Sequence, residues 1–196
     1  NNVSGGGSKL TVRSINTGTV SLTKSFGAFV KGAAFNTAEN LAVVGDQSPN
    51  NKVVVINLAT GASEEIPSTT DHSEAVAISE NGRYVAVGLK NGSVVIYDRT
   101  TKTSRTVSLF TNEVKALTWA QGESDLLAAA DSNAKLALLT ATGNKTLSSF
   151  ESKSDSDATT SLHFSENNLL LFRGANANGL MTFDVSDPAK PHVSNE

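Results

Sequence analysis

The chain has 196 residues, of which 38% are hydrophobic and 18% charged, and its formal net charge is -3. This is the composition of an ordinary globular protein that is long enough to bury a sizeable core. Its 16 Lys and Arg are scattered among 19 Asp and Glu, with no basic run interleaved with aromatics, so we do not expect nucleic acid as a partner.

Cellular location is indicated only by features that are missing. The sequence has no cysteine, which excludes disulfides, thiolate metal sites and a cysteine nucleophile. No apolar run approaches the roughly 18 residues that cross a bilayer, and the first residues do not resemble a signal peptide. We therefore expect a cytoplasmic protein with no membrane partner. Secretion is the alternative, because N-x-[ST] acceptors occur at Asn2, Asn91 and Asn144.

Taken in chain order, residues 1–8 contain the run SGGGS and predict a flexible N-terminal segment. Residues 9–26 alternate apolar and polar side chains on either side of an Asn-Thr-Gly turn, which predicts a hairpin. The clearest pattern follows in residues 71–98. Three apolar runs, AVAIS, RYVAVGL and SVVIYD, are separated there by Asn81-Gly82 and Asn91-Gly92, dipeptides that favour tight hairpin turns. This segment predicts a three-stranded antiparallel meander.

The meander recurs along the chain. Aligning the repeats on Phe35, Ile78, Trp119 and Phe164 gives spacings of 43, 41 and 45 residues. A period of about 40 to 45 residues with only strands is typical of a β-propeller. The fold prediction is all-β, a β-propeller segment of about four and a half four-stranded antiparallel blades. Its parts are a partial blade at residues 9–26, blades at 29–67, 73–108, 113–150 and 158–187, and a C-terminal tail at 188–196.

Packing between the blades can be predicted from the second strand of each repeat. These strands are nearly continuous in apolar or small residues, as expected of strands buried on both faces. Small residues such as Gly45 and Gly88 would let adjacent sheets approach closely. The only tryptophan, Trp119, ends a first strand and is expected to be buried between blades. Because about four and a half blades leave open faces, we expect further blades or a second copy to complete the ring.

The third strands carry a family resemblance. Two of them end in an aromatic-Asp pair, Tyr97-Asp98 and Phe183-Asp184, at the place where WD-repeat proteins have Trp-Asp. The chain resembles this family from residue 9 to about residue 187. The resemblance implies a protein-binding platform.

Two departures limit that resemblance. Asn57-Leu58 and Thr140-Ala141 replace the aromatic-Asp pair in the other two repeats. The Gly-His that usually precedes the first strand is absent, and His72 lies nearer to the strand than the histidine of the family. The resemblance therefore does not extend to the family's buried His-Asp-Ser network.

A narrower resemblance comes from the run SEAVAISENGRYVAVGLKNGSVVIYD, which is followed by EVKALTW and LLAAADSNAKLALL. These repeats are similar to those in the second propeller of the actin-interacting proteins that assist cofilin. The resemblance implies actin or a cytoskeletal regulator as the partner.

Candidates for chemistry are few. His72, His163 and His192 lie in three different contexts, and no pair has metal-ligand spacing. No nucleophile elbow, phosphate loop or dinucleotide fingerprint occurs. Asp46 and the run starting at Asp131 offer oxygen ligands, but they lack the spacing of a calcium loop and are better explained as turn formers. We predict no catalytic residue, cofactor or metal.

Two functions remain. The first is a non-enzymatic scaffold that binds other proteins through loops at one face of the propeller, since loops on a rigid scaffold commonly carry binding residues. The predicted contact residues are Asp71, His72, Lys90, Asn91, Asp131, Asn133 and Asn176. The alternative is a propeller enzyme of the lactonase or hydrolase type, with its site in the central channel. The polar channel residues would be Lys31, Glu74, Lys115, Thr118 and His163.

Overall fold

In the part of the chain that the structure describes, the regular structure consists entirely of strands. A computed structural model describes residues 7–47, 50–67, 71–122, 125–143, 146–151, 158–175 and 179–195. No helix among them is long and apolar enough to cross a membrane. The strands are β1 (Ser8–Arg13), β2 (Val20–Phe26), β3 (Val30–Asn36), β4 (Leu41–Asp46), β5 (Val53–Asn57), β6 (Ser63–Glu65), β7 (Ser73–Ile78), β8 (Tyr84–Leu89), β9 (Ser93–Asp98), β10 (Thr103–Ser108), β11 (Val114–Trp119), β12 (Leu126–Asp131), β13 (Lys135–Thr140), β14 (Thr146–Glu151), β15 (Thr159–Phe164), β16 (Leu170–Ala175), β17 (Gly179–Asp184) and β18 (His192–Asn195).

The strands form four antiparallel sheets of four strands each, and one sheet of two strands. We name the four-stranded sheets blade 1 (β3 to β6), blade 2 (β7 to β10), blade 3 (β11 to β14) and blade 4 (β15 to β18), and we name the β1–β2 pair the half-blade. Each blade follows chain order from its first to its fourth strand, and the first strands of successive blades contact one another. The prediction of an all-β propeller segment with four-stranded blades is confirmed.

The two hairpin turns inside blade 2 contain the Asn-Gly dipeptides. Gly82 and Gly92 have φ angles of 67° and 83°, which glycine adopts without steric cost. At Gly92 a side chain would also lack space, since an added Cβ would lie 2.7 Å from the carbonyl oxygen of Asn112. The turn before β8 is fixed further by Ser79, whose hydroxyl accepts a 2.9 Å hydrogen bond from the backbone of Tyr84.

The core lies between the blades. Every residue of β4, β8 and β12 is buried, as expected for second strands that are covered on both faces. A Cβ at Gly88 would lie 2.5 Å from Val114 Cγ1 of the next blade, which explains why only a small residue fits there. Trp119 is 6% exposed, so the prediction of its burial between blades is confirmed.

The second strand of blade 4 differs from this pattern. In β16, Leu171 and Arg173 are buried, whereas Leu170 and Phe172 are partly exposed. The expectation that this strand is buried on both faces is therefore wrong. The physical reason is that, in the described part of the chain, the outward face of blade 4 has no neighbouring sheet.

Short strands lie at both ends of the described array. Ser8, expected in the flexible segment, begins β1 and pairs with Phe26. At the other end β18 lies within the expected tail and pairs antiparallel with β17, which makes it the outer strand of blade 4. The half-blade packs on blade 1 through an apolar cluster. The cluster is formed by Leu10, Leu22, Phe26, Val44 and Ile56.

The position of the aromatic-Asp pair has one structural role in all four blades. At this position a side-chain oxygen accepts a hydrogen bond of 2.8 to 2.9 Å from a backbone N–H two or three residues later. The four residues are Asn57, Asp98, Thr140 and Asp184. Each side chain thus stabilises the turn into the outer strand. Two repeats without the family's pair keep its turn, because an Asn or Thr oxygen accepts the same bond.

Candidate functional site

The loop face is the end of the propeller at which the first strand of each blade begins. There, Lys90 and Asn91 are exposed in the turn between β8 and β9, and Asp71 and His72 are half-buried just before β7. The backbone N–H of Lys90 donates to the carbonyl of His72 at 3.0 Å, so the structure brings these two predicted pairs together. Asn133 is exposed in the corresponding turn of blade 3. Asn176 lies outside the described residues.

Asp131 behaves differently from the other predicted contact residues, because it is 0% exposed. Its Oδ1 accepts hydrogen bonds from the backbone N–H groups of Asn133 and Lys135, at 2.8 and 2.9 Å. Its Oδ2 accepts one from the Asn112 amide at 3.3 Å. This carboxylate holds its own loop in place, and the exposed side chain that the loop offers is Asn133.

A β-bulge recurs at the same position in the first strand of every blade. The pairing with the second strand shifts between the first and third residues of β3, β7, β11 and β15, and one residue is left unpaired between them. Bulges of this kind redirect a side chain and are frequent beside functional sites. The four bulge residues are Lys31, Glu74, Lys115 and Thr160, which we name the channel ring.

The channel ring lies around an open cavity of about 290 Å³ between the first strands of the four blades. His163 also lines this cavity, whereas Thr118 does not. The cavity therefore contains four of the five polar residues that the sequence assigns to the central channel. Sequence reasoning missed Thr160, and only the shared register of the first strands could have indicated it.

Glu74 is the electrostatic centre of the channel ring. Its side chain is only 1% exposed and forms ion pairs with Lys31 of blade 1 and, at 3.8 Å, with Lys115 of blade 3. The Gln47 amide donates to its Oε1 at 3.3 Å. Lys115 also pairs with Glu113, so the charges form a continuous network across three blades. Such a network can hold the blades in register, and it leaves two ammonium groups partly exposed in the cavity.

The network also reaches the predicted contact residues. The hydrogen bond from Lys115 lowers the pKa of Glu113 from its ordinary value despite partial burial, and the charges of Lys31 and Lys90 add to this effect. The charge of Lys90 thus acts on Glu113, which pairs with Lys115 of the channel ring.

An exposed aromatic residue on the loop face was not singled out from the sequence. Phe29, between β2 and β3, is 49% exposed, and its carbonyl accepts a 2.9 Å hydrogen bond from the backbone of Gln47. The hydrogen bond fixes the loop that presents the ring. Exposed aromatics on a rigid backbone are common anchors of protein–protein contacts. Whether this ring is buried depends on its neighbours in space, so no local signal in the sequence distinguished it.

For the enzyme alternative, the relevant observation concerns groups that could bind a metal. Within the described ranges, no group of three or more His or acidic side chains is arranged to hold a metal ion. The one buried carboxylate of the channel, Glu74, is engaged by lysines.

A second ionic cluster lies at the outer side of the boundary between blades 1 and 2. Glu64 of β6 accepts hydrogen bonds from Tyr97 at 2.8 Å, from Lys102 at 2.6 Å and from Arg99 at 3.3 Å. Burial opposes ionisation of Glu64, but the bonds from Lys102 and Tyr97 outweigh it and lower its pKa from the ordinary value. The same contact, together with burial, raises the pKa of Tyr97 to about 12. The cluster joins two blades away from the channel.

No protein-family model matches the chain, and no curated protein matches it. Solved structures of similar fold include the following three. A chain in the mitotic checkpoint complex shares 21% identity with a TM-score of 0.69, covering 83% of this chain and 48% of that one. U3-55K shares 13% identity with a TM-score of 0.68, covering 84% and 51%. The WD40 repeats of RRP9 share 14% identity with a TM-score of 0.67, covering 84% and 50%.

The chain therefore spans about half the length of the solved structures it resembles. At these identities the likeness concerns the arrangement of the backbone and not the residues of a site. The blades, their strand order and these neighbours together show that the chain has a β-propeller fold of the kind seen in WD40 repeat proteins.

Proposed function

We propose that the chain is a non-enzymatic protein–protein interaction scaffold of the WD-repeat type, and that it binds its partner through the loop face. The proposal rests on one observation: exposed side chains lie on loops whose backbones are held by hydrogen bonds. Phe29, Lys90, Asn91 and Asn133 are exposed on loops whose backbones are tied to buried strands. Preorganised side chains lose little entropy when a partner binds, which favours affinity.

We further propose that the partner is actin or a cytoskeletal regulator and that the protein works in the cytoplasm. This narrower proposal rests on the resemblance of residues 73–139 to repeats of the cofilin-assisting actin-interacting proteins. The loop face combines an aromatic side chain, Phe29, with a cationic one, Lys90. Aromatic and charged side chains together are common in protein–protein interfaces.

Co-sedimentation with filamentous actin tests the proposal. We expect the unmodified chain to sediment with filaments and a Phe29→Ala/Lys90→Ala/Asn133→Ala variant to lose most of that binding. The matched control replaces three exposed strand residues away from the loop face, Arg13→Ala/Thr23→Ala/Thr106→Ala, and should bind as the unmodified chain does. Equal binding by both triple variants would locate the contact elsewhere, and no sedimentation of the unmodified chain would exclude actin.

The same preparation distinguishes a scaffold from the propeller-enzyme alternative. A scaffold should be free of stoichiometric metal and should not hydrolyse lactones, even with added Ca²⁺ or Zn²⁺. Metal content near one ion per chain, lost in a Glu74→Gln variant, would favour the enzyme instead, because Glu74 is the buried carboxylate of the channel.

A further inference from the structure

A cavity of about 430 Å³ lies at the turn face, the end of the propeller opposite the loop face. It is formed where the first strands of blades 1, 2 and 3 end and turn into their second strands. Its lining residues are Phe35, Asn36, Thr37, Ala38, Ile78, Glu80, Trp119, Ala120 and Gln121. This volume is in the range of sites that take a small ligand or a single large side chain. The loop-face proposal does not involve this cavity.

The apolar wall of the cavity contains an aromatic ring that is open to solvent. Phe35 is 56% exposed, although Trp119, at the equivalent position of blade 3, is only 6% exposed. Trp119 is covered by Tyr84, which belongs to the second strand of the preceding blade. The sheet that precedes Phe35 is the half-blade, which has no second strand in the described part of the chain. In the described part of the chain the Phe35 ring is therefore an exposed part of the cavity wall.

The rim of the cavity carries a carboxylate that has no cationic partner. Glu80 is exposed in the turn between β7 and β8, and its Oε2 accepts a hydrogen bond from the backbone N–H of Gly122 in blade 3. That bond fixes the side chain across the blade boundary. No Lys or Arg is among the described lining residues, and Glu80 forms no ion pair with any described residue. The charge at the rim is therefore available to a cation from outside.

The same end of the protein shows which cation suits an aromatic ring and a carboxylate. The guanidinium carbon of Arg83 lies 4.8 Å from the centroid of the Tyr84 ring. Arg83 also donates to both carboxylate oxygens of Asp98, at 2.8 and 3.2 Å. A planar guanidinium stacks on an aromatic face and pairs with a carboxylate at once, which an ammonium group cannot do as well.

We propose that the turn-face cavity binds an arginine side chain from a protein partner. The methylene stem of the arginine packs against Phe35 and Ile78, and the guanidinium pairs with Glu80 over the aromatic wall. The apolar wall favours a long side chain, and the unpaired carboxylate selects a positive head group. The contact is independent of any partner bound at the loop face.

The single tryptophan makes the test direct, because Trp119 lines the cavity and its fluorescence reports on an occupant. The probe is a terminally blocked Gly-Arg-Gly tripeptide, and the comparison is the same peptide with citrulline, which has nearly the same shape and no charge. We expect saturable quenching with a Kd of about 1 mM for the arginine peptide, and binding at least about tenfold weaker for citrulline.

Variants assign the effect to the cavity. Glu80→Gln should weaken arginine binding about tenfold, and Phe35→Ala should weaken it as well. The control is Glu166→Gln, because Ser165-Glu166-Asn167 forms the same turn in blade 4 as Ser79-Glu80-Asn81 does in blade 2, with the same 2.7 Å hydrogen bond from Ser to Asn. Glu166 does not line the cavity, so this variant should bind as the unmodified chain does.

Several results would overturn the proposal. Equal affinity for the arginine and citrulline peptides would show that charge plays no part, and a Gly-Leu-Gly peptide of equal affinity would indicate a purely apolar pocket. A lysine peptide that binds as tightly would remove the selection for guanidinium. Absence of saturation up to about 50 mM, or unchanged binding by Glu80→Gln, would show that the cavity is not an arginine site.

Discussion

The rings of Tyr84 and Trp119 stack across the boundary between blades 2 and 3, with centroids 5.8 Å apart and planes inclined by 28°. Tyr84 begins the second strand of one blade, and Trp119 ends the first strand of the next. Both residues belong to a single apolar cluster that spans the two sheets. The contact therefore contributes to the cohesion of the propeller as well as to the packing of one blade.

Replacing Trp119 by alanine should lower the free energy of unfolding by about 3 to 5 kcal/mol, the range for emptying a large aromatic site in a core. The loss comes from the buried area and the cavity that remains against Tyr84. Urea unfolding followed by far-ultraviolet circular dichroism measures it, since the variant has no tryptophan to report by fluorescence.

Phe35→Ala is the matched control for that variant, because Phe35 occupies the equivalent position and is more than half exposed. It should change the free energy of unfolding by less than about 1 kcal/mol. Similar losses in both variants would mean that burial at the blade boundary does not determine the effect.

Glu74→Gln should destabilise the chain by about 1 to 3 kcal/mol, less than a fully buried pair would lose because both lysines keep some solvent. The neutral amide leaves Lys31 and Lys115 near each other without the carboxylate between them. Chemical denaturation at neutral pH measures the change.

Adding Lys31→Met to Glu74→Gln tests the ion-pair explanation. Removing one of the two unpaired cations should recover part of the lost stability, whereas two independent effects would simply add. Glu39→Gln, at an exposed acid on the turn face, should have little effect. A double variant that is less stable than Glu74→Gln would contradict the role assigned to the charge network.

Asp98 should make the stability of the chain dependent on pH in the acid range. Its hydrogen bonds with Arg83, and further ones from the backbone after it, lower its pKa to about 2. Because the folded state holds the ionised form, this stabilisation is present above about pH 4 and is lost as the pH falls toward 2. The unfolding free energies of the unmodified chain and Asp98→Asn should therefore converge as pH falls. An Arg83→Met variant should shift the loss to higher pH, and a constant difference between pH 5 and 3 would contradict the assignment.

The repeat pattern was sufficient to predict the blades, because period, turn dipeptides and apolar runs are local properties of the sequence. Exposure at equivalent positions was less predictable, as Phe35 and Trp119 illustrate. Both end a first strand, yet only Trp119 has a second strand of the preceding blade against it. Burial at this position depends on a neighbour far away in sequence, which alternation within one strand does not encode.

Part of the candidate site was predictable from the sequence, and the rest depends on how the strands pair. Lys31, Glu74 and Lys115 could be assigned to the channel from their strands, but their grouping depends on bulges that arise from strand pairing. Asn57 and Thr140 were interpreted as departures from the aromatic-Asp pair, although they accept the same turn hydrogen bond. The turn requires a side-chain oxygen that reaches the backbone N–H two or three residues later, and Asp, Asn and Thr each supply one.

Tyr97 should titrate at unusually high pH. Burial and the hydrogen bond to Glu64 raise its pKa to about 12, so the folded state favours the neutral phenol. The associated stabilisation is complete below about pH 10 and is lost as the pH rises through 12. The chain has two tyrosines, and absorbance titration of Tyr97→Phe should lack the step near pH 12. Glu64→Gln should move that step to lower pH, and an unshifted step would exclude Glu64 as a cause.

The isolated chain should not behave as a self-sufficient ring. On the outward face of blade 4, Leu180 is 63% exposed beside the partly exposed Phe172, on strands whose counterparts in blades 2 and 3 are covered by the next sheet. An apolar sheet face of this kind binds hydrophobic dye and favours association with other sheets. We expect light scattering to detect self-association and anilinonaphthalene sulfonate to bind. Leu180→Lys should reduce both, whereas Ile15→Lys, which replaces a fully exposed apolar residue in a turn, should reduce neither. A stable monomer that binds no dye would contradict the expectation that the outward face of blade 4 is open and would mean that the chain closes alone.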